Sequence, residues 1–190
     1  IPQRRGDPVH FHSDEGVRSN TTAESLANLR PVFKKDGQVT AGNASTLNDG
    51  ASAVLLADAE FAQQQGWEVL GYVEDYCTSG VEPARVMSAP ITAVEMLLER
   101  NQLSVLDVDV YEHNEAFASA SCSVAQELNI PEDRFNLHGG AVSLGHPLGA
   151  SGTRCLITML GVMRRLESSS GIVTLCLGGG NAVAMLVRRA

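Results

Sequence analysis

The chain of 190 residues is 44% apolar and carries a formal net charge of −8, a composition ordinary for a globular protein and far from that of a disordered segment. With 14 basic side chains against 22 acidic ones it has no basic surplus to neutralise phosphates, so nucleic acid is not an expected partner. No apolar run is long enough to span a bilayer and no signal peptide is visible, so a membrane is not expected either.

The N-terminal "IPQRRGDPVHFHSDEG" is polar and irregular, and Ile1 follows no methionine; the expectation is the C-terminal part of something longer. "TAESLANLRPVF" (22–33) predicts a short helix with Thr22 as its cap, Leu26 and Leu29 on one face, and Pro31 as its stop. Residues 34–52, rich in Gly, Asn, Ser and Thr, predict a loop. Then the pattern alternates. "ASAVLLA" (51–57) predicts a buried strand, "DAEFAQQQG" a helix stopped by Gly66, and "EVLGYVEDYCT" a strand. "APITAVEMLLERNQ" predicts a helix, "DVDVYEHN" a strand ending in polar residues, and "EAFASASCSVAQELN" a helix rich in small residues. After a glycine-rich loop, "SGTRCLITMLGVMRRLES" predicts a long helix with Leu156, Met159, Leu160, Met163 and Leu166 facing inward. "GIVTLCLGGGNAVAMLVRR" predicts two strands joined at Gly178–Gly180 as a hairpin. The expected fold is α/β, a layered α/β/α arrangement around a mixed five-stranded sheet.

The cysteines, Cys77, Cys122, Cys155 and Cys176, are separated by 45, 33 and 21 residues. That spacing holds no CxxC pair and no disulfide framework, so reduced thiols in a reducing compartment, taken as cytoplasmic, are expected. Cys77, Cys122 and Cys155 are expected in the core, and His10, His12 and His138 in solvated loops.

"GGAVSLGHPLGASG" (139–152) nearly matches two phosphate- or nucleophile-bearing patterns and fits neither. A phosphate loop needs Lys-Ser/Thr where His146-Pro147 stand. A nucleophile elbow needs its second glycine one place later than Gly152, and Ser151 reads better as a helix N-cap. His146 has only His138 nearby as a companion, so no metal is expected. What remains is a histidine in a tight glycine-lined turn. Taken alone it is more often structural than catalytic. Yet "HNEAF" (113–117), "GHPLGASG" (145–152) and "CLGGGN" (176–181) all follow predicted strands or loops at the end where α/β sheets place their sites.

"VTAGNASTLNDGASA", "NEAFA", "GGAVSLGHPLGASG" and "CLGGGNAVAM", in this order and spacing, resemble the signature stretches of the C-terminal half of the thiolase family, the acetyl-CoA C-acyltransferases. The resemblance runs from about Asp14 to Ala190. It implies a C-terminal thiolase domain over residues 39–190, with residues 1–38 the end of a substrate-covering loop region. It also implies an acyl transferase that joins two acetyl-CoA molecules by Claisen condensation or cleaves a 3-ketoacyl-CoA, with the coenzyme A thioester as substrate and no separate cofactor.

By motif, His146 would take the proton of a nucleophilic cysteine and help hold the thioester oxygen. Cys176 would be the base that removes the α-proton. Asn114 would hold a water in one oxyanion hole and the Gly178 N–H would serve a second. Ala41 and Ser45 would line the pantetheine arm; Arg18, Ser25 and Leu29 would lie near the adenine end; Met87 and Phe117 would border the acyl pocket. Without the resemblance, core packing would be the preferred reading of Leu29, Met87 and Phe117. Thr46, where the family commonly has glycine, and His113 are departures. The acyl-accepting cysteine belongs to the family's N-terminal half, so the resemblance implies that half as a separate or cleaved chain, and a homodimer or tetramer of the whole. A condensing enzyme of fatty-acid or polyketide synthesis and a non-catalytic scaffold are the rival readings. The "CLGGG" thiol argues against the first, the intact Asn114, His146 and Cys176 against the second.

Overall fold

The computed structural model describes residues 1–190. Residues 1–22 form no helix or strand and are exposed throughout. Helix α1 (Ala23–Ala27) starts at Thr22, whose hydroxyl accepts from the Ser25 N–H while the Ser25 hydroxyl accepts from the Thr22 N–H. It ends several residues before Pro31, shorter than the periodicity suggests. Helix α2 (Ala59–Gln64) is capped by Asp58 and stopped by Gly66 at φ +65°.

The sheet is built from β1 (Gly71–Gly80), β2 (Val110–His113), β3 (Ser170–Leu177) and β4 (Asn181–Arg189) in the order β1-β4-β3-β2. β2 and β3 are parallel; β4 runs antiparallel to both β3 and β1. β3 and β4 form the expected hairpin around Gly178–Gly180. The sheet therefore has four strands, not five. The missing one is residues 51–57, which form no strand and leave Leu55 and Leu56 about three-quarters exposed, at 75% and 74%. An apolar run supplies the side chains of a strand but not the neighbouring strand whose hydrogen bonds make it one, and no strand of this chain pairs with it.

Helices cover both faces. On one, α3 (Ala89–Arg100) and α4 (Ala118–Glu127) bury Ala93, Val94, Leu97 and Val124 against Tyr111, Ile172, Ala184 and Leu186. On the other, α6 (Ser151–Leu166) packs Cys155, Met159, Val162 and Met163 onto Val110, Val173 and Val187. Fully burying Met159, Val162 and Met163, at about 1.5–3 kcal/mol each, supplies more than helix propensity can, so packing sets this helix. Its inward stripe is offset from the expected one, since Leu166 is half exposed. Gly171 on β3 leaves room for the Met159 and Met163 sulfurs, which a Cβ there would meet at 2.7 and 2.9 Å. A last short helix, α5 (Ala141–Leu144), sits inside the glycine-rich loop. No helix is long and apolar enough to cross a membrane. Cys77 and Cys155 are buried, but Cys122 lies on the exposed side of α4, so its expected core position is corrected.

Candidate active site

Parallel pairing of β2 and β3 brings two of the expected side chains to one end of the sheet. The Asn114 N–H, just past β2, donates to the Thr174 carbonyl at 3.2 Å. Cys176 follows two residues later on β3, half-buried, and the strand then turns through Gly178. A Cβ at Gly178 would meet nothing within 4 Å, so the space over that exposed turn is open. Gly180 is the opposite case: at φ +92° it lies so close to the next segment that a Cβ would stand 2.3 Å from the Val81 carbonyl.

His146 arrives on the glycine-rich loop. Gly145, at φ +92°, lets that loop close onto Asn48, whose Oδ1 a Cβ would meet at 2.4 Å. The His146 N–H donates to the Thr46 carbonyl at 3.0 Å and to Asn48 Oδ1 at 3.2 Å. Its ring Nδ1 lies 2.6 Å from Ser151 Oγ. The Ser151 hydroxyl gives its one hydrogen to the Pro147 carbonyl at 3.0 Å, so it accepts from Nδ1–H and leaves Nε2 as the bare nitrogen. Ser151 opens α6 and spends its hydroxyl on the histidine instead of capping the helix, which corrects its expected role.

Asn114 Nδ2 lies 3.4 Å from Nε2 and 3.5 Å from Nδ1 of His146. These distances are long and nearly equal, so the amide stands beside the ring and not in line with either nitrogen. The lone pair of Nε2 stays available. Burial, and then the Arg154 charge, lower the His146 pKa from its ordinary value, favouring the neutral ring. Burial raises the Cys176 thiol.

Behind Asn114 runs a buried polar chain that the sequence reading missed. Arg154, in the first turn of α6, donates to Asn114 Oδ1 at 3.0 Å and pairs with Glu112 at 2.9 Å. Glu112 is fully buried, and desolvation outweighs Arg154 to push its pKa to about 7. The signal was present: a glutamate at a strand position and an arginine at the start of an apolar helix break the binary pattern.

The expected substrate contacts divide into two groups. The loop of residues 40–48 is stitched to the "NEAF" segment: the Ser45 N–H donates to the Ala116 carbonyl and the Ala118 N–H to the Asn43 carbonyl, both at 2.9 Å. That places Ser45 beside Phe117, whose ring meets Phe33 edge-on at 5.9 Å; Ala41 lies earlier in the same loop. Leu26 and Leu29 pack over Gly42, where a Cβ would meet them at 2.6 and 2.8 Å. Met87 lines a cleft of about 300 Å³ with Arg85, Ser88 and Ser119. A second cleft of about 290 Å³ runs between residues 48–52 and 147–150. Ser25 is less well placed for a ligand because its hydroxyl closes the α1 capping box. Arg18 is exposed, and its carbonyl accepts from Thr21; nothing ties its guanidinium to the others.

The fold and these side chains define an α/β domain that carries an imidazole, an amide and a thiol toward the end of a parallel strand pair. Comparison with known proteins specifies it. The model of the thiolase C-terminal domain matches residues 67–189, and that of the thiolase N-terminal domain matches residues 1–60. The chain is 48% identical over 189 residues to an acetyl-CoA acetyltransferase of Pseudomonas aeruginosa, and 47% to a probable acetyl-CoA acyltransferase of Staphylococcus aureus; each match takes in 100% of this chain and 48% of the relative. Among solved structures, the Bacillus anthracis acetyl-CoA acetyltransferase superposes with a TM-score of 0.92 at 39% identity, covering 100% of this chain and 48% of that one. The human mitochondrial 3-ketoacyl-CoA thiolase in complex with CoA superposes at 0.86 and 36% identity, covering 95% and 46%.

The chain belongs to the thiolase family. It spans about half the length of the curated relatives it matches. Residues 51–57, which form no strand here, fall within the part matched by the N-terminal domain model.

Proposed function

We propose that this chain supplies the base, the imidazole and the oxyanion-hole groups of a thiolase that transfers acyl groups between coenzyme A thioesters. The observation that carries the reading is the meeting of Asn114 and His146 at 3.4 Å beside the strand that bears Cys176. The printed names of the relatives, acetyl-CoA acetyltransferase and 3-ketoacyl-CoA thiolase, and the CoA bound to one of them, support the substrate class.

In this reading the nucleophilic cysteine comes from the N-terminal half of the family's fold. Neutral His146 accepts its proton, the thiolate takes the acyl group from a first acyl-CoA, and the imidazolium returns the proton to the departing CoA thiolate. A second acetyl-CoA then loses an α-proton to the Cys176 thiolate. The enolate carbon attacks the enzyme thioester; a C–C bond forms, the C–S bond breaks, and the cysteine thiolate is restored. Cleavage runs the same steps backwards, with the Cys176 thiol giving the proton. Burial keeps that thiol protonated at rest, the form the cleavage direction needs; condensation requires that it first lose the proton. Asn114, through a water it holds beside His146, serves one oxyanion hole and the Gly178 N–H the other, and losing one such donor typically costs about 10²–10³ in rate.

Ala41, Ser45 and Phe117 are proposed along the pantetheine and acyl path, Met87 at the acyl pocket, and Arg18, Ser25 and Leu29 toward the adenine end. Residues 1–38 are proposed as the end of a substrate-covering loop region and 39–190 as the C-terminal domain. A homodimer or tetramer of the assembled enzyme is proposed, in a reducing compartment such as the cytoplasm, where Cys176 stays a thiol.

The test uses the full-length protein. Cys176→Ala should abolish condensation while still allowing the nucleophilic cysteine to be acylated. Peptide mass spectrometry after acetyl-CoA treatment that finds the acetyl group on Cys176 itself would overturn the assignment.

A further inference from the structure

Arg154 has no task in the reaction just described, yet the structure spends a buried charge pair on it. A guanidinium carries five N–H donors and no acceptor. Whichever end of the Asn114 amide faces it must therefore be the oxygen. That oxygen lies 3.0 Å from Arg154 Nη2, and the Cys155 thiol approaches it at 3.6 Å. The other end of the amide, Nδ2, is thereby turned to the His146 ring at 3.4 Å. Arg154 is itself fixed: its Nη1 pairs at 2.9 Å with Glu112, a fully buried residue two positions before Asn114. Apolar residues of equal volume would often stabilise a fold as well as such a pair does, so stability alone is a weak reason for it.

We propose that Arg154, anchored by Glu112, is a positioning residue that locks the Asn114 side-chain amide with its N–H end toward His146. The oxyanion hole then presents a donor before substrate arrives, and no binding energy is spent on turning the amide. Without Arg154 the amide can rotate and present its carbonyl, which repels the developing negative charge. This inference rests on the thiolase reading of the site.

The experiment compares full-length wild type with Arg154→Met, Arg154→Lys, Asn114→Ala and the double variant Asn114→Ala/Arg154→Met. Arg154→Met should lower kcat roughly tenfold to a hundredfold, less than the loss of a whole donor, with KM for acyl-CoA held within about threefold. Arg154→Lys, which keeps one donor on the amide oxygen, should recover part of the loss. In the Asn114→Ala background the Arg154→Met change should cost nothing further, since both act on one group. An unchanged kcat in Arg154→Met would overturn the proposal, as would a loss that persists in full beside Asn114→Ala. Glu112→Leu/Arg154→Met replaces the pair with apolar side chains and carries the test if Arg154→Met alone does not fold; failure of both to fold would mark the pair as structural and defeat the proposal. A wild type without thiolase activity would defeat the functional reading, whereas an active wild type matched by its Arg154 variants would defeat this inference alone.

Discussion

At the scale of the residue, His113 shows how one buried side chain sets acid sensitivity. It is fully buried, its Nδ1 accepts from the Ser121 hydroxyl at 2.6 Å, and it stacks on Phe135. Burial lowers its pKa from 6.5 to about 4. Above pH 6.5 the ring is neutral in both folded and unfolded chains and contributes no pH dependence. Below that, the unfolded chain takes the proton first, so stability is lost as pH falls from 6.5 toward 4, by up to about 3 kcal/mol. Glu112 works in the other direction: with its pKa raised to about 7, its protonation in the fold favours folding as pH drops from 7 toward 4.5. Replacing His113 isolates the first effect. His113→Leu in the full-length protein should lose less melting temperature than wild type between pH 7 and 4.5, read by scanning calorimetry. A parallel decline in the two proteins would show that the ring is already charged in the fold. None of this was legible in the sequence, where His113 stood only as a departure next to Asn114. Its burial depends on α4 and on Phe135, which residue patterns do not position.

Among the elements, those with a strong internal period were legible. α3 and the β3–β4 hairpin fall where the patterns put them, because helix periodicity and a glycine turn are local signals. The failures are those of partnership. The stripe of α6 is set by which residues meet Val110 and Val173, and residues 51–57 have no strand beside them. Ser151 followed the same rule, since its hydroxyl answered to His146 and not to its own helix. The hairpin also shows where local signals carry weight. Gly180 combines φ +92° with a Cβ position 2.3 Å from a backbone carbonyl, and a carbonyl cannot swing aside as a side chain does. Gly180→Ala should destabilise the full-length protein by about 1–3 kcal/mol, measured by urea denaturation, and should displace Gly178. Gly179→Ala at φ +84° meets only the Asn181 side chain at 3.4 Å and should cost less. Equal losses for the two would mean that backbone conformation, not the close approach, governs the turn.

For the molecule as a whole, the exposed apolar surface is the main feature. Leu55 and Leu56 stand open, as do Tyr72, Val73 and Tyr76 on the edge strand β1. Unpaired strand edges with apolar side chains are templates for aggregation unless covered. This surface fits the proposed N-terminal thiolase half as its cover. Residues 1–190 expressed alone should aggregate or lack thiolysis activity in size-exclusion and acetoacetyl-CoA assays. Co-expression of an N-terminal thiolase half should restore both solubility and activity. A monodisperse, active 20.2 kDa monomer would contradict the proposed division of the active site.

The loop that grips His146 has a bearing on how such a protein can be recombined. Thr46 and Asn48, which hold the histidine's backbone, lie in the part matched by the N-terminal domain model, whereas Asn114, His146 and Cys176 lie in the part matched by the C-terminal one. A chimera joined between residues 60 and 67 would inherit its reacting groups from one parent and the seat of its imidazole from the other. The pose of His146 would then be inherited separately from its identity. Two parents with the same three side chains would then yield hybrids that differ in rate, according to how the carbonyl at position 46 and the side chain at position 48 seat the His146 backbone.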